Sequence, residues 1–464
     1  MSSSTLRPRK SVTARGIAVL AASTLILAAC GGDGDEGDDG DGAAEETTED
    51  DGGEATDDGS EATDDGSEST GGGEEAGGGT DPGAPEAGDR DLVLKVGTVL
   101  PQTGALAFLG PPEEAGALLA AKHINEADAG ITVELTLGDS GDPDNRAYAT
   151  TVPQLLNAGT NVIVGAASSG VSKLFIDEVV AAETLMISPA NTAPEFTTWP
   201  DNGLYWRTAP SDLLQGEVLG NLIASDGVVN LGILFLNDAY GTGLEAQLTE
   251  TFTAANGTVV ASESYNAGDT TFDAQISSIL AADPDAIALI TFEEIKTIIP
   301  ALESAGVDMS SLYFVDGNIA DYSADFDPGT LEGSKGTQPG PALDDTFLTD
   351  LNTVWQEHSG EELADLNYAG ETYDAIVLAA LAALAGNSVE GPEMASWMQQ
   401  VSGGIGGGEK FDNFADAAAA IAEGTVVDYD GPSGPITFNE AGDPTEATIG
   451  IFQYDENNSL VRQN

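Results

Sequence analysis

The chain has 464 residues, with 79 Asp plus Glu against 14 Lys plus Arg and a formal net charge of −65. That length allows two or three domains, and that charge makes nucleic acid and anionic lipid poor partners for the folded body. A single cysteine and two histidines exclude a disulfide framework and leave little for a metal centre.

The first residues are not part of a fold. Arg7, Arg9, Lys10 and Arg15 form a positive region, and Gly16 to Ala29 is an apolar run too short to span a bilayer. It closes on Leu27-Ala-Ala-Cys30, which resembles the lipobox of bacterial lipoproteins. That resemblance implies a signal peptide over 1–30, a lipidated Cys30, and a protein exported and lipid-anchored to the outer face of the bacterial cell membrane. Residues 31–90 hold almost no large apolar side chains, so they are expected to form a disordered acidic linker. A flexible chain of that length spans roughly 40 Å, enough to lift the body off a membrane. Its acids lack the fixed turn geometry of a calcium loop. The leader carries four positive charges and residues 31–90 a net −22, which leaves −47 on residues 91–464. A lysine-poor surface of that kind is expected in a protein adapted to high salt, where self-repulsion is screened.

From Leu92 onward strands and helices alternate, which predicts an α/β fold with parallel sheets. Leu92–Leu100 reads as a buried strand, Pro111 and Pro112 open a helix to about Glu126, and Ile131–Leu137 reads as the next strand. Asp142-Pro-Asp-Asn145 is expected to cap another helix. Val162–Val164 and Leu185–Ile187 are apolar strands. Each runs into a small, hydroxyl-rich turn, Gly165-Ala-Ala-Ser-Ser-Gly170 and Ser188-Pro-Ala-Asn-Thr192. In open α/β sheets ligands sit beyond the carboxyl ends of the strands, where such turns offer N–H groups and hydroxyls to an anion. The same residues also serve as helix caps.

The alternation restarts after Tyr205-Trp-Arg-Thr208. A helix spans Asp212 to Ser225, followed by a strand at Val229–Leu236 and the turn Asn237 to Gly243. Further strands are expected at Thr258–Ser264, Ala286–Thr291 and Leu312–Val315, with helices between them. Leu343 to Val401 reads as mostly helical and needs a sheet to cover. Gly403 to Gly408 lacks the strand and spacing of a phosphate loop and is read as a plain loop. Tyr429–Phe438 and Ala447–Tyr454 are expected to be strands.

Five phrases in order, GAASSGVS (165–172), LMISPANTAPEFT (185–197), YWRTAPSDLLQG (205–216), NDAYGTG (237–243) and DGPSGPITFNEAGD (430–443), give a family resemblance. From Leu92 to its end the chain resembles the type I periplasmic binding proteins of ABC importers, specifically the leucine/isoleucine/valine-binding group. The resemblance implies two Rossmann-like lobes joined by a three-segment hinge, with crossovers near Ser211, Gly340 and Phe438. The first lobe would be 91–211 plus 341–438, and the second 212–340 plus 439–464. It implies ligand-binding roles for Ser169 (ligand carboxylate), Ala190 (backbone carbonyl to the ammonium), Thr192 (both ligand ends), Tyr240 (closing from the second lobe) and Asp316 (ammonium). Asp212 would lie at the hinge. Leu109, with Phe108 beside it, and Phe292, after Thr291, stand where the family commonly has aromatic residues around the ligand side chain, so the side-chain pocket is altered.

The implied activity is capture of a branched-chain or related amino acid by a monomer, with delivery to ABC permease and ATPase subunits and no cofactor. Amides, urea or aromatic acids as ligands, and sensing in place of transport, are the alternatives. An enzyme is disfavoured. No GxSxG occurs, and His123 and His358 fall on helix-like segments far apart, where surface positions are expected.

Overall fold

Strands without a polar face must be covered on both sides, and that requirement builds this molecule. In the computed structural model, which describes residues 81–464, five strands make an all-parallel sheet. They are β1 (Leu92–Val99), β2 (Ile131–Thr136), β3 (Val162–Gly165), β4 (Leu185–Ser188) and β5 (Tyr205–Arg207), in the order β2-β1-β3-β4-β5. Successive side chains go to opposite faces. Val162, Val164, Leu185 and Ile187 therefore join one apolar cluster, and Ile163 and Met186 another. Helices α1 (Gly110–Ala127), α2 (Tyr148–Asn157), α3 (Ser169–Ser172) and α4 (Ile176–Ala181) connect these strands.

The chain then crosses at Ser211 into α5 (Asp212–Ser225) and a second sheet. Here β6 (Asn230–Leu236), α6 (Ala239–Ala254), β7 (Thr258–Tyr265), α7 (Asp273–Ala281), β8 (Ala286–Ile290), α8 (Ile295–Ser304), β9 (Leu312–Phe314) and β10 (Lys335–Pro339) follow in turn. A second crossing at Gly340 brings α9 (Asp345–Ser359), α10 (Ala369–Gly386), α11 (Gly391–Val401), β11 (Glu409–Phe411), α12 (Phe414–Ala422) and β12 (Val427–Tyr429). These helices cover the first sheet: Leu351, Leu378, Met398 and Ile421 share a cluster with Val96 and Val164. After a third crossing beyond Phe438, β13 (Ile449–Tyr454) and β14 (Leu460–Arg462) complete the second sheet. Its order is β14-β13-β10-β9-β8-β6-β7, with β13 antiparallel to both its neighbours.

α10 is the one helix among the described residues long and apolar enough to cross a membrane, and it is buried inside the first lobe. Its alanine-rich surface lets α1 approach closely. A Cβ at Gly116 would stand 2.3 Å from the Ala369 carbonyl oxygen.

Several sequence expectations need correction. The signal segment, Cys30 and linker residues up to 80 lie outside the described residues. The last ten linker residues, 81–90, are packed on the first lobe. Gly88 N–H donates to Ala422 O at 3.0 Å, Arg90 Nε to Leu384 O at 3.1 Å, and Pro85 is buried. Asp142 does not cap α2, which starts after Ala147 with no side-chain cap. Its carboxylate instead accepts from Asp144 N, Asn145 N and, across the turn, Ala105 N. Tyr429–Phe438 is not a strand: β12 ends at Tyr429, because Pro432 and Pro435 carry no N–H and Asp374 takes that of Ser433 at 2.8 Å. β10 and β14 were not expected. Lys335-Gly-Thr-Gln-Pro339 has no apolar run to mark it, yet it pairs with β9 and β13. His123 is half-buried rather than on the surface, its Nδ1 2.9 Å from the Tyr373 hydroxyl.

Gly116→Ala is expected to destabilise the protein by about 1–3 kcal/mol, because the added methyl meets backbone that cannot yield cheaply. Urea unfolding checks this, and an unchanged midpoint would contradict the packing of α1 on α10.

Candidate functional site

The two hydroxyl-rich turns lie at the carboxyl ends of β3 and β4 and are fastened to one another. Gly165 permits the first: its φ is +125°, and a Cβ there would stand 2.2 Å from Val99 O. Ser188 Oγ donates to Ala166 O at 2.7 Å and accepts from Asn191 N at 2.9 Å. The Asn191 amide donates to Ala166 O and Ala167 O at 2.9 and 2.8 Å, and its oxygen accepts from Tyr205 OH at 2.9 Å. Ser168 caps α3 by accepting from Val171 N, and Ser169 Oγ accepts from Ala193 N, both at 3.3 Å.

Beneath the second turn lies a fully buried arginine. Arg207 donates from Nε to Asp443 Oδ1 at 2.6 Å and from its terminal nitrogens to Ala193 O at 2.8 Å and Thr197 Oγ1 at 3.1 Å. Thr197 in turn donates to Asp443 Oδ2 at 2.6 Å. Sharing every charge among good donors is what makes such a buried pair tolerable.

Opposite these turns the second lobe presents Asp316, only 4 % exposed. Its Oδ1 accepts from the Tyr240 hydroxyl at 2.7 Å and Gln215 Nε2 at 3.0 Å, and its Oδ2 from the Tyr368 hydroxyl at 2.6 Å. Tyr240 sits in the first turn of α6, set by the Asp238 cap, and stacks on Phe292 with ring centroids 5.4 Å apart. Tyr368 precedes α10 with a φ of +60°, an uncommon backbone state for a bulky residue, and so turns its phenol onto Asp316.

Ser169, Ala190, Tyr240, Asp316, Leu109 and Phe292 line one cavity between the lobes, together with Leu106, Ser168 and Tyr368. Its volume is about 10 Å³, room for about one water. The lobes are therefore shut on each other, and an amino acid can enter only if they part. No donor among the described residues reaches the Ala190 carbonyl oxygen. Thr192 is the exception among the expected wall residues. It is absent from the cavity wall, and its buried hydroxyl has no hydrogen-bond partner among the described residues. It lies near Asp212 instead, close enough to ease that carboxylate's charge but short of hydrogen-bond geometry.

Asp212 opens α5 at the first crossing, with its N–H donating to Thr192 O at 2.7 Å. Its carboxylate is fully buried, and neither oxygen has a hydrogen-bond partner. Burial holds its pKa well above the ordinary value, and the charge of Asp316 pushes the same way. Asp316 is itself raised by burial, against the opposing effect of Tyr368, Tyr240 and Gln215. Among the described residues no group of three or more His, Cys, Asp or Glu is placed to hold a metal.

Tyr368, Gln215 and the Arg207–Asp443 pair were not singled out in the sequence. Gln215 and Arg207 fall inside the quoted phrase YWRTAPSDLLQG, and Asp443 ends the quoted phrase DGPSGPITFNEAGD. A buried acid with a raised pKa binds its proton more tightly folded than unfolded. Its stabilising effect is thus complete below pH 4 and is lost as pH rises. Asp212→Asn is therefore expected to approach the parent protein in thermal stability near pH 4 and to exceed it at pH 8. Equal melting temperatures at both pH values would contradict the burial of that charge.

Comparison with known proteins agrees with this architecture. The periplasmic binding protein family matches residues 93–459. The chemotactic signal transduction system substrate-binding protein BasB of Halobacterium salinarum is 27 % identical over 370 residues, covering 75 % of this chain and 84 % of that one. The leucine-, isoleucine-, valine-, threonine- and alanine-binding protein of Pseudomonas aeruginosa is 32 % identical over 189 residues, 40 % of this chain and 50 % of its own. Among solved structures, the leucine-binding protein LivK of Thermotoga maritima superposes with a TM-score of 0.64 at 20 % identity, covering 80 % of this chain and 98 % of that one. A solute-binding protein of R. palustris in complex with benzoate gives the same score at 18 % identity, covering 80 % and 96 %. With one all-parallel and one mixed sheet joined by three crossings, and a family match over residues 93–459, the chain belongs to the periplasmic binding protein family and has its type I fold.

Proposed function

We propose that this protein is the extracytoplasmic substrate-binding lipoprotein of an ABC importer. It captures a branched-chain or related amino acid between its lobes and hands it to permease subunits in the membrane, without chemical change to the ligand. The observation that carries this reading is the cavity walled by Ser168 and Ser169 from one lobe and by Asp316 from the other. Hydroxyls on one side suit a carboxylate and a buried acid on the other suits an ammonium, so the geometry favours a zwitterion. Leu106, Leu109 and Phe292 supply an apolar surface for a side chain. In this reading Ser169 holds the carboxylate, Ala190 O and Asp316 hold the ammonium, Tyr240 closes from above, and Asp212 marks the hinge. Anchoring through Cys30 would keep the body near its permease.

A second reading is favoured by one specific observation. The relative matched over 84 % of its own length, BasB, carries the name of a chemotactic signal transduction protein. The same closure would then be read by a sensor instead of a permease. Neighbouring genes for permease and ATPase subunits would favour import.

Asp316→Ala is expected to weaken an α-amino-acid ligand by about 2–5 kcal/mol, since it leaves the ammonium buried without a counter-charge. The ligand comes first from a thermal-shift screen of amino acids and amides, where a hundredfold excess over Kd adds about 2.7 kcal/mol. Calorimetry then checks the variant. Unchanged affinity would remove Asp316 from the site.

A further inference from the structure

A second and much larger hollow lies behind Tyr368, which forms part of both walls. Its volume is about 320 Å³, partly open to solvent, against about 10 Å³ for the cavity described above. Both lobes build it. Gln338, Phe452 and Arg462 come from β10, β13 and β14, and Leu348, Asp365 and Glu371 come from α9, the approach to α10 and the first turn of α10. The lobes are also fastened at this point, since the Gln338 amide donates to Asn367 Oδ1 and Asn367 donates to Ile319 O at 3.1 Å.

One side chain in the wall has no explained partner. Glu371 is 6 % exposed and lines the hollow; its backbone carbonyl accepts from Thr208 Oγ1 at 2.8 Å, but its carboxyl accepts no hydrogen bond from any other described residue. A Cβ on Gly340 would stand 2.9 Å from its Oε1, so the carboxyl sits hard against the second crossing. The other charged groups facing the hollow are committed. Asp365 accepts from Asn367 N and Asp321 from Ser323 N, both at 2.8 Å. Arg462 donates to Gly340 O at 3.1 Å and Asn464 O at 3.0 Å and lies over the Phe452 ring, 5.5 Å from its centroid. Three acids against one engaged arginine disfavour an anion. An unpartnered carboxyl in a largely carbon-lined space suits a cation carried on an apolar body.

We propose that this hollow is a second ligand site, taking a small aliphatic amine whose ammonium pairs with Glu371 and whose hydrocarbon lies against Leu348 and Phe452. Because its walls come from both lobes, an occupant binds the closed form in preference to the open one and favours closure. Burial lifts Glu371 to about 8, with Asp374 adding to the rise, so at pH 7 it is mostly the neutral acid. Pairing with an ammonium draws it into the carboxylate form and releases one proton to solvent. Glu113, on α1, is a further buried acid that feels this charge.

The test uses the full chain and isopentylamine, which has no carboxylate for the serine turns to hold. Calorimetry at pH 7 in buffers of different ionisation enthalpy is expected to show one saturable site with proton release. Glu371→Gln should bind at least about tenfold more weakly, the loss of one charge-assisted bond. Leu348→Trp, which fills the hollow from its partly exposed side, should abolish binding. Absence of saturable binding would overturn the proposal. So would binding that survives Glu371→Gln but is lost in Asp316→Asn, because the amine would then occupy the cleft of the first cavity.

Discussion

A shut cleft that holds buried carboxylates and, among the described residues, no free cation is under electrostatic tension, and much of this structure follows from that. Asp316 and Asp212 are both buried, each raises the cost of charging the other, and only Asp316 has donors. Among the described residues the nearby cation, Arg207, is spent on Asp443. Neutral donors such as two tyrosines and a glutamine reduce the cost of a buried carboxylate without cancelling its charge. A ligand ammonium would cancel it. This gives a physical reason for closure to depend on a positively charged group arriving between the lobes.

The rest of the site is rigid by comparison. Asn191 ties the two serine turns together, and Arg207 with Asp443 ties the second turn to the third crossing. Removing one partner of a buried pair leaves the other uncompensated, typically at about 3–5 kcal/mol, so this corner moves as a unit. Motion is left to the crossings themselves and to the interface where Tyr240 and Phe292 of the second lobe face the same cavity as Tyr368 of the first. Hinge closure about a few connecting residues is a common solution for two lobes that trap a ligand.

The α/β architecture was legible because β3, β4 and β8 are apolar on both faces and only parallel, helix-covered strands read that way. The cavity wall was legible where a residue lies in the first turn of a helix, as Ser169 and Tyr240 do, or just beyond a strand, as Ala190 does after β4. What was hidden depends on distant partners. Tyr368 lies 52 residues from Asp316, and Arg207 lies 236 from Asp443, with nothing local to mark either. β10 was hidden because its pairing, not its composition, makes it a strand. Tyr429–Phe438 was misread because its apolar residues suggested a strand while its prolines deny the ladder. Thr192 keeps its expected place in the chain, but its side chain turns toward Asp212.

The central claim is that the two lobes open without ligand and shut on a zwitterion. Asp144 and Ala267 stand on opposite sides of the cleft mouth and line the same small hollow there. The only native cysteine is Cys30, so a Cys30→Ser, Asp144→Cys, Ala267→Cys chain carries two spin labels across the mouth and none elsewhere. Their dipolar coupling, read with and without a saturating amino-acid ligand, tests the claim most directly. The account predicts weak coupling in the free protein and strong coupling once ligand is bound. Equal coupling in both states, with ligand shown to be bound, would contradict it.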